Sequence, residues 1–174
     1  MARLPYATPD TPARSKVAER VIAERGSLLH LYSMLLHSAP IAEGWLTYLT
    51  AIRQKSTLPG DLREMVIMRV AHINGASYEA DQHKPIALNE GMSLHQLDCL
   101  QDWESADCFS TLQRAVLAYT DMMTRQVQVS DVVFQSVAEQ LPPDNVVELT
   151  ATIAAYNMVS RFLEALQIHS HDKD

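Results

Sequence analysis

Apolar side chains recur every three to four positions along most of the chain, the period of helices that bury one face. Val17, Val21 and Ile22 define such a face from Ala13 until Gly26 ends the segment. Ser27 is a plausible N-cap for a second helix with Leu28, Leu31, Leu35 and Leu36 inward. Pro40 opens a third at its first turn, where a missing N–H costs nothing, and Trp45, Leu46, Leu49 and Ile52 form its stripe. "TLPGD" then breaks the chain, and Asp61 is positioned to cap "LREMVIMRVAHI", a segment apolar on most sides through Leu62, Met65, Val66, Ile67, Met68 and Val70. Such a helix belongs near the middle of the molecule. Gly75 separates it from "ASYEADQHKPIALNEG", closed by Gly91, after which Ser93 caps a short helix through Leu100. Helices over about Thr111–Arg125 and Ser130–Gln140 follow, and Asp144 is expected to cap a long last one, "NVVELTATIAAYNMVSRFLEALQ".

The ends lack this periodicity. Residues 1–12 hold three of the eight prolines and predict an extended arm, whose Leu4, Pro5 and Tyr6 are available for docking on a neighbour. Residues 13–168 form the helical domain, and the tail 169–174, "HSHDKD", is expected to be solvated. A chain of 174 residues buries roughly 70% of its unfolded surface as one domain. With 47% hydrophobic residues and only 5 glycines, the expected class is all-α, a single-domain helical bundle.

Charge removes several function classes. The net charge is −7, and Lys and Arg are scattered without a basic tract, which argues against nucleic-acid partners and anionic membrane surfaces. No uncharged apolar run is long enough to span a bilayer, and the start lacks a signal-peptide core, so a cytoplasmic protein is expected. Cys99 and Cys108 stand nine positions apart, a spacing that matches neither a Cys-x-x-Cys redox pair nor a zinc knuckle, and both are expected to be reduced and structural. No metal site is expected.

The candidate chemistry begins with Glu79 and His83, four apart and therefore neighbours on one helical face. A surface salt bridge explains that pair equally well. Glu64 adds weight, because it interrupts an otherwise apolar helix just upstream, and helices joined by a short glycine turn pack antiparallel. A buried glutamate needs partners, and Tyr78 and His83 are available. Such a cluster moves protons near neutral pH. Pro85, just past His83, is expected either to bend this helix or to mark a later start.

"LREMVIMRVAHINGASYEADQHKPIALNEGM" resembles the core of the carboxymuconolactone decarboxylase and alkylhydroperoxidase D-like family. In that family "RE" opens one helix and Cys-x-Tyr-Cys-x-x-x-His lies on the next. Less specifically, the resemblance runs from "LYSMLLHSAPIAEGW" to "VELTATIAAYNMVSRFLEAL". It implies that Glu64 matches the family's proton-relay glutamate, Tyr78 its tyrosine and His83 its histidine, while Ala76 and Glu79 stand where the two cysteines would be. A thiolate attacks peroxides and neither Ala nor Glu replaces one, so thiol peroxidase activity is the least expected.

What remains looks like the decarboxylase branch, which uses no cofactor and carries a Glu four residues before the histidine. The resemblance thus implies acid/base chemistry on a small carboxylated molecule, with Glu64, Tyr78, Glu79 and His83 catalytic. It also implies homo-oligomers: dimers, trimers or hexamers. The alternative is a non-enzymatic binding or scaffold protein in which the same residues form only a buried polar network.

Further residues are candidates for lining a substrate site. His72 follows Glu64 by eight positions, Trp45 lies on the third helix, and Arg161 pairs with Asn157 on the last. Arg161 is suited to a substrate carboxylate, although stitching its helix to a neighbour explains it better. His30 and His37 read as core or groove lining. A triad of His72, Glu79 and His83 is geometrically conceivable for a metal but unsupported by any motif. Glu148, like Glu64, stands early in an apolar helix.

Overall fold

The computed structural model describes residues 1–172, and every regular element among them is a helix, with no strand among the described residues. The chain forms two compact units, one of Met1–Lys55 with the segment from Leu163 onward, the other of Ser56–Phe162.

In the first unit α1 (Pro12–Arg25) starts where Thr11 accepts from the Arg14 amide, and Gly26 ends it at φ 85°, a conformation glycine takes without penalty. The second helix, α2 (His30–Leu35), is shorter than the sequence predicts. Its N-cap is Leu29, not Ser27, and no side chain caps it. α3 (Ala39–Thr50) has proline in its first turn and runs on into a π turn, Ala51–Lys55. The N-terminal arm is extended and docks on its own unit. The Arg3 amide donates to the Leu166 carbonyl, and the Ala7 amide to that of Ser33. Of the tail, residues 169–172 are tied down: Asp172 accepts from the Tyr6 hydroxyl at 2.7 Å and from the His169 amide at 3.1 Å. The last two positions lie outside the described residues. His30 stacks on Tyr6, and His37 pairs with the Pro5 carbonyl, so both histidines hold the arm.

The second unit is built around α4 (Gly60–Asn74), whose residues Leu62 to Ala71 are all buried. Asp61 lies inside its first turn and Pro59 is the cap, a correction to the expected Asp61 cap. α4 packs on α5 (Ser77–Asn89) and α7 (Thr111–Gln126). Between these lie α6 (Leu94–Cys99), begun by a capping box of Ser93 and Gln96, and a 3-10 turn, Leu100–Asp102. α8 (Asp131–Ala138) follows the Ser130 cap. α9 (Pro143–Leu166) begins one residue before Asp144, which sits in its first turn. At the end of α7, Val127 is held at φ 68° and ψ −48°.

Arg69 makes the central polar joint. It grips Asp121 of α7 with two bonds of 2.6 and 2.5 Å and gives two more to the Leu100 and Gln101 carbonyls. These side chains border a cleft of about 640 Å³ that Trp103, Glu104 and Arg125 also line. Glu148 accepts from the amides of Thr57 and Leu58 and so fixes the strand of chain leading into α4.

Candidate functional site

The site is assembled from α4, α5 and α9. Gly75, at φ 70°, turns the chain after α4 so that α5 returns antiparallel against it. The hairpin register brings the start of α4 to the far half of α5. Arg63 meets Glu90 at 3.0 Å, and Glu64 Oε2 lies 2.7 Å from His83 Nδ1. Helix α5 runs unbroken through Pro85, two residues past His83.

On the other side of the imidazole, the Tyr156 hydroxyl of α9 lies 3.2 Å from His83 Nε2. The two rings meet edge to face, their centroids 5.0 Å apart at 89°. One helical turn along both helices, the Ser160 hydroxyl donates to the two oxygens of Glu79 at 3.2 and 3.1 Å. The i,i+4 pair Glu79 and His83 on α5 thus faces the i,i+4 pair Ser160 and Tyr156 on α9.

All these groups are removed from water: Glu64 is 1% exposed, Glu79 2%, His83 6% and Tyr156 1%. Burial pushes the Glu64 carboxyl up, but the hydrogen bond and charge of His83, with the charge and bond of Arg63, outweigh it and hold Glu64 below the ordinary glutamate range. An ionised Glu64 only accepts, so His83 Nδ1 carries its hydrogen toward it. In the neutral ring Nε2 then has a free lone pair, which takes the Tyr156 O–H. In the charged ring the direction reverses and Nε2–H donates to the phenol oxygen. A proton can therefore move along this line without displacement of a heavy atom.

Of the sequence candidates, Glu64, Glu79 and His83 come together in one buried layer, and Tyr78 is buried beside them in sequence on α5. His72 does not join them. It lies in the last turn of α4, exposed, and eight residues of helix carry it roughly 12 Å along the axis from Glu64. Trp45 is on α3 in the first unit, half-buried. Arg161 is exposed and bonds to the carbonyl and side chain of Asn157 on its own helix. Asn157 in turn joins Asn74 and Thr124, so this pair stitches α9 to α4 and α7.

Sequence reasoning missed Tyr156, Ser160, Arg63 and Glu90. Tyr156 and Ser160 carry a signal in retrospect, since their spacing repeats that of Glu79 and His83. Among the described residues, the group of three metal-ligating side chains with converging donor atoms is His95, Cys99 and Cys108, not the cluster around His83.

Comparison with known proteins bears on this geometry. The carboxymuconolactone decarboxylase family matches residues 39–122, which include α4, α5 and the whole Glu64–His83 pair. The uncharacterized protein YdfG of Bacillus subtilis (strain 168) is 25% identical over 115 residues, 65% of this chain and 78% of YdfG. An uncharacterized peroxidase-related protein from Ralstonia eutropha JMP134, described as an alkylhydroperoxidase AhpD core, superposes with a TM-score of 0.83 at 17% identity, covering 98% of this chain and 93% of its own. The debrominase Bmp8 superposes at 0.78 and 17% identity, covering 94% and 88%. At these identities the two structures speak for the fold: an AhpD-like helical architecture. Residues 39–122, just under half of the chain and with the paired glutamate and histidine among them, match the carboxymuconolactone decarboxylase family.

Proposed function

We propose that the protein is a cofactor-independent acid/base enzyme that decarboxylates a small carboxylated organic molecule. The observation that carries this reading is the buried line Glu64, His83, Tyr156, in which a carboxylate fixes the imidazole tautomer and a phenol stands at its far nitrogen. The fold itself hosts several chemistries, a debrominase and peroxidase-related proteins among its neighbours, so function follows from the site and not from the fold.

In such a reaction the bond to the carboxylate carbon breaks and carbon dioxide leaves. The electron pair enters a conjugated, dienolate-like system, and a proton is delivered to carbon. The protonated imidazole supplies that proton through the Tyr156 hydroxyl, while Glu64 holds the ring in place and stabilises its charged form. Glu79, locked by Ser160, keeps a second carboxylate one turn away. A cytoplasmic, homo-oligomeric enzyme belongs to the same proposal; no helix among the described residues is long and apolar enough to cross a membrane.

A binding or scaffold role is the second reading, favoured by how fully these charges are buried and paired with one another. The assay is loss of carboxymuconolactone absorbance by the wild type beside His83→Ala and Glu79→Gln, with circular dichroism to check folding. Turnover by the wild type that vanishes in folded His83→Ala supports the enzyme. A wild type inert toward this and related carboxylated lactones, with both variants merely less stable, leaves the binding role.

A further inference from the structure

Away from the His83 site, α6 and the loop that follows it bring three soft donors to one point. His95 and Cys99 are four apart on α6, and the Cys99 sulfur lies 3.8 Å from His95 Nδ1 and 4.0 Å from Nε2. Cys108 arrives from the loop before α7, and the three donor atoms all fall within 4.8 Å of one another. Two thiolates and an imidazole around a tetrahedral zinc ion, with bonds of about 2.0–2.3 Å, stand a little under 4 Å apart, so small side-chain rotations close the site.

The loop is held for this. Gln96, between His95 and Cys99 on α6, donates to the Cys108 carbonyl at 3.3 Å and to Gln113 at 3.4 Å. Arg114 gives three bonds to the carbonyls of Trp103, Ala106 and Glu104, and its guanidinium lies 5.4 Å from the centre of the Trp103 ring. Both cysteines are free thiols and partly accessible, and His95 is exposed, so an ion has a path in. A dication relieves the cost of placing two thiolates side by side.

We propose that His95, Cys99 and Cys108 form a zinc site, three protein ligands with the fourth position open to water. Binding releases two thiol protons to solvent and clips the 103–110 loop to α6. Thiolate and imidazole donors select zinc over magnesium or calcium, which prefer oxygen. The nine-residue spacing hides the site in the sequence, because the loop and not a motif brings Cys108 back.

The test is anaerobic titration of the reduced full-length protein with cobalt(II) as a spectroscopic probe, followed by zinc. One equivalent of cobalt should give a thiolate-to-metal charge-transfer band with tetrahedral d–d intensity, both lost on adding zinc. Cys99→Ser and Cys108→Ser should each weaken zinc binding by more than the roughly 10–100-fold expected for loss of a supporting group, the effect expected for Gln96→Ala. In the wild type, zinc should protect both thiols from iodoacetamide, a readout that needs no variant to fold. The proposal is overturned if cobalt binds without a charge-transfer band, if zinc binding survives both serine substitutions, or if zinc leaves both thiols open to alkylation.

Discussion

His83 donates from Nδ1 to Glu64 Oε2 at 2.7 Å, and neither side chain has appreciable contact with water. This pair carries both the chemistry proposed and part of the fold, and substitution separates the two. Glu64→Gln keeps the shape but replaces an acceptor of fixed charge with an amide. Turnover should fall by about 10²–10⁴-fold while helicity is retained. Glu64→Ala leaves Arg63 and His83 facing an emptied buried position and should cost about 3–5 kcal/mol in urea unfolding. Equal activity of wild type and Glu64→Gln would remove the relay.

Tyr156→Phe deletes one oxygen from a packed ring. Loss of the bond to His83 should cost about 1 kcal/mol of stability. The diagnostic is kinetic: kcat should fall with KM little changed, and the acidic limb of the pH–rate profile should move. A merely structural tyrosine would leave that profile in place.

Glu64 also predicts how stability depends on pH. Its folded carboxyl sits below the ordinary glutamate value of 4.5, so the unfolded chain binds the proton more readily. The stabilisation it contributes is therefore complete above the unfolded value and is lost as pH falls through the folded one. The difference in unfolding free energy between wild type and Glu64→Gln should shrink as pH falls below about 4.5. A difference that grows on acidification would contradict the assigned charge state.

Val127 gives a stabilising prediction. A β-branched residue at φ 68° and ψ −48° occupies the γ-turn region that is rare and strained, and this one is 80% exposed with little packing to lose. Val127→Gly should raise the unfolding free energy by about 1 kcal/mol, the relief of strain exceeding the entropy glycine adds to the unfolded chain. Denaturant midpoints of the two proteins decide it.

Much of this architecture is written in the hydrophobic period. Helices α1, α3 and α4 fall close to where their apolar stripes place them, α5, α7 and α9 close to the ranges their glycine and cap residues mark, and the charged trio Glu64, Glu79 and His83 stands out because polar residues on buried faces need partners. Cap assignments were less legible. Asp61 and Asp144 are good cap residues by type, yet each helix begins a residue earlier, so both act inside the first turn, where an acid also suits the helix dipole. Tyr156 escaped notice because a tyrosine on an apolar helix face reads as core, and only the register of α9 against α5 shows its hydroxyl meeting Nε2. Glu148 illustrates the converse. It shares with Glu64 an early place in an apolar helix, but it serves backbone amides of the preceding chain, a use no local pattern announces.

The two halves of the imidazole's environment differ greatly in how far along the chain they reach. Glu64 is 19 residues from His83, within one helical hairpin, whereas Tyr156 is 73 residues away and Ser160 lies 81 from Glu79. Near contacts close early and distant ones late, because loop closure must be met before a long-range contact can form. A nascent chain emerging in order can therefore pair its glutamate and histidine while α9 is still unsynthesised, and for that interval it exposes an imidazole without its phenol. Completion of the site thus coincides with completion of the fold, and a chain truncated before α9 would carry the acidic half of the relay alone.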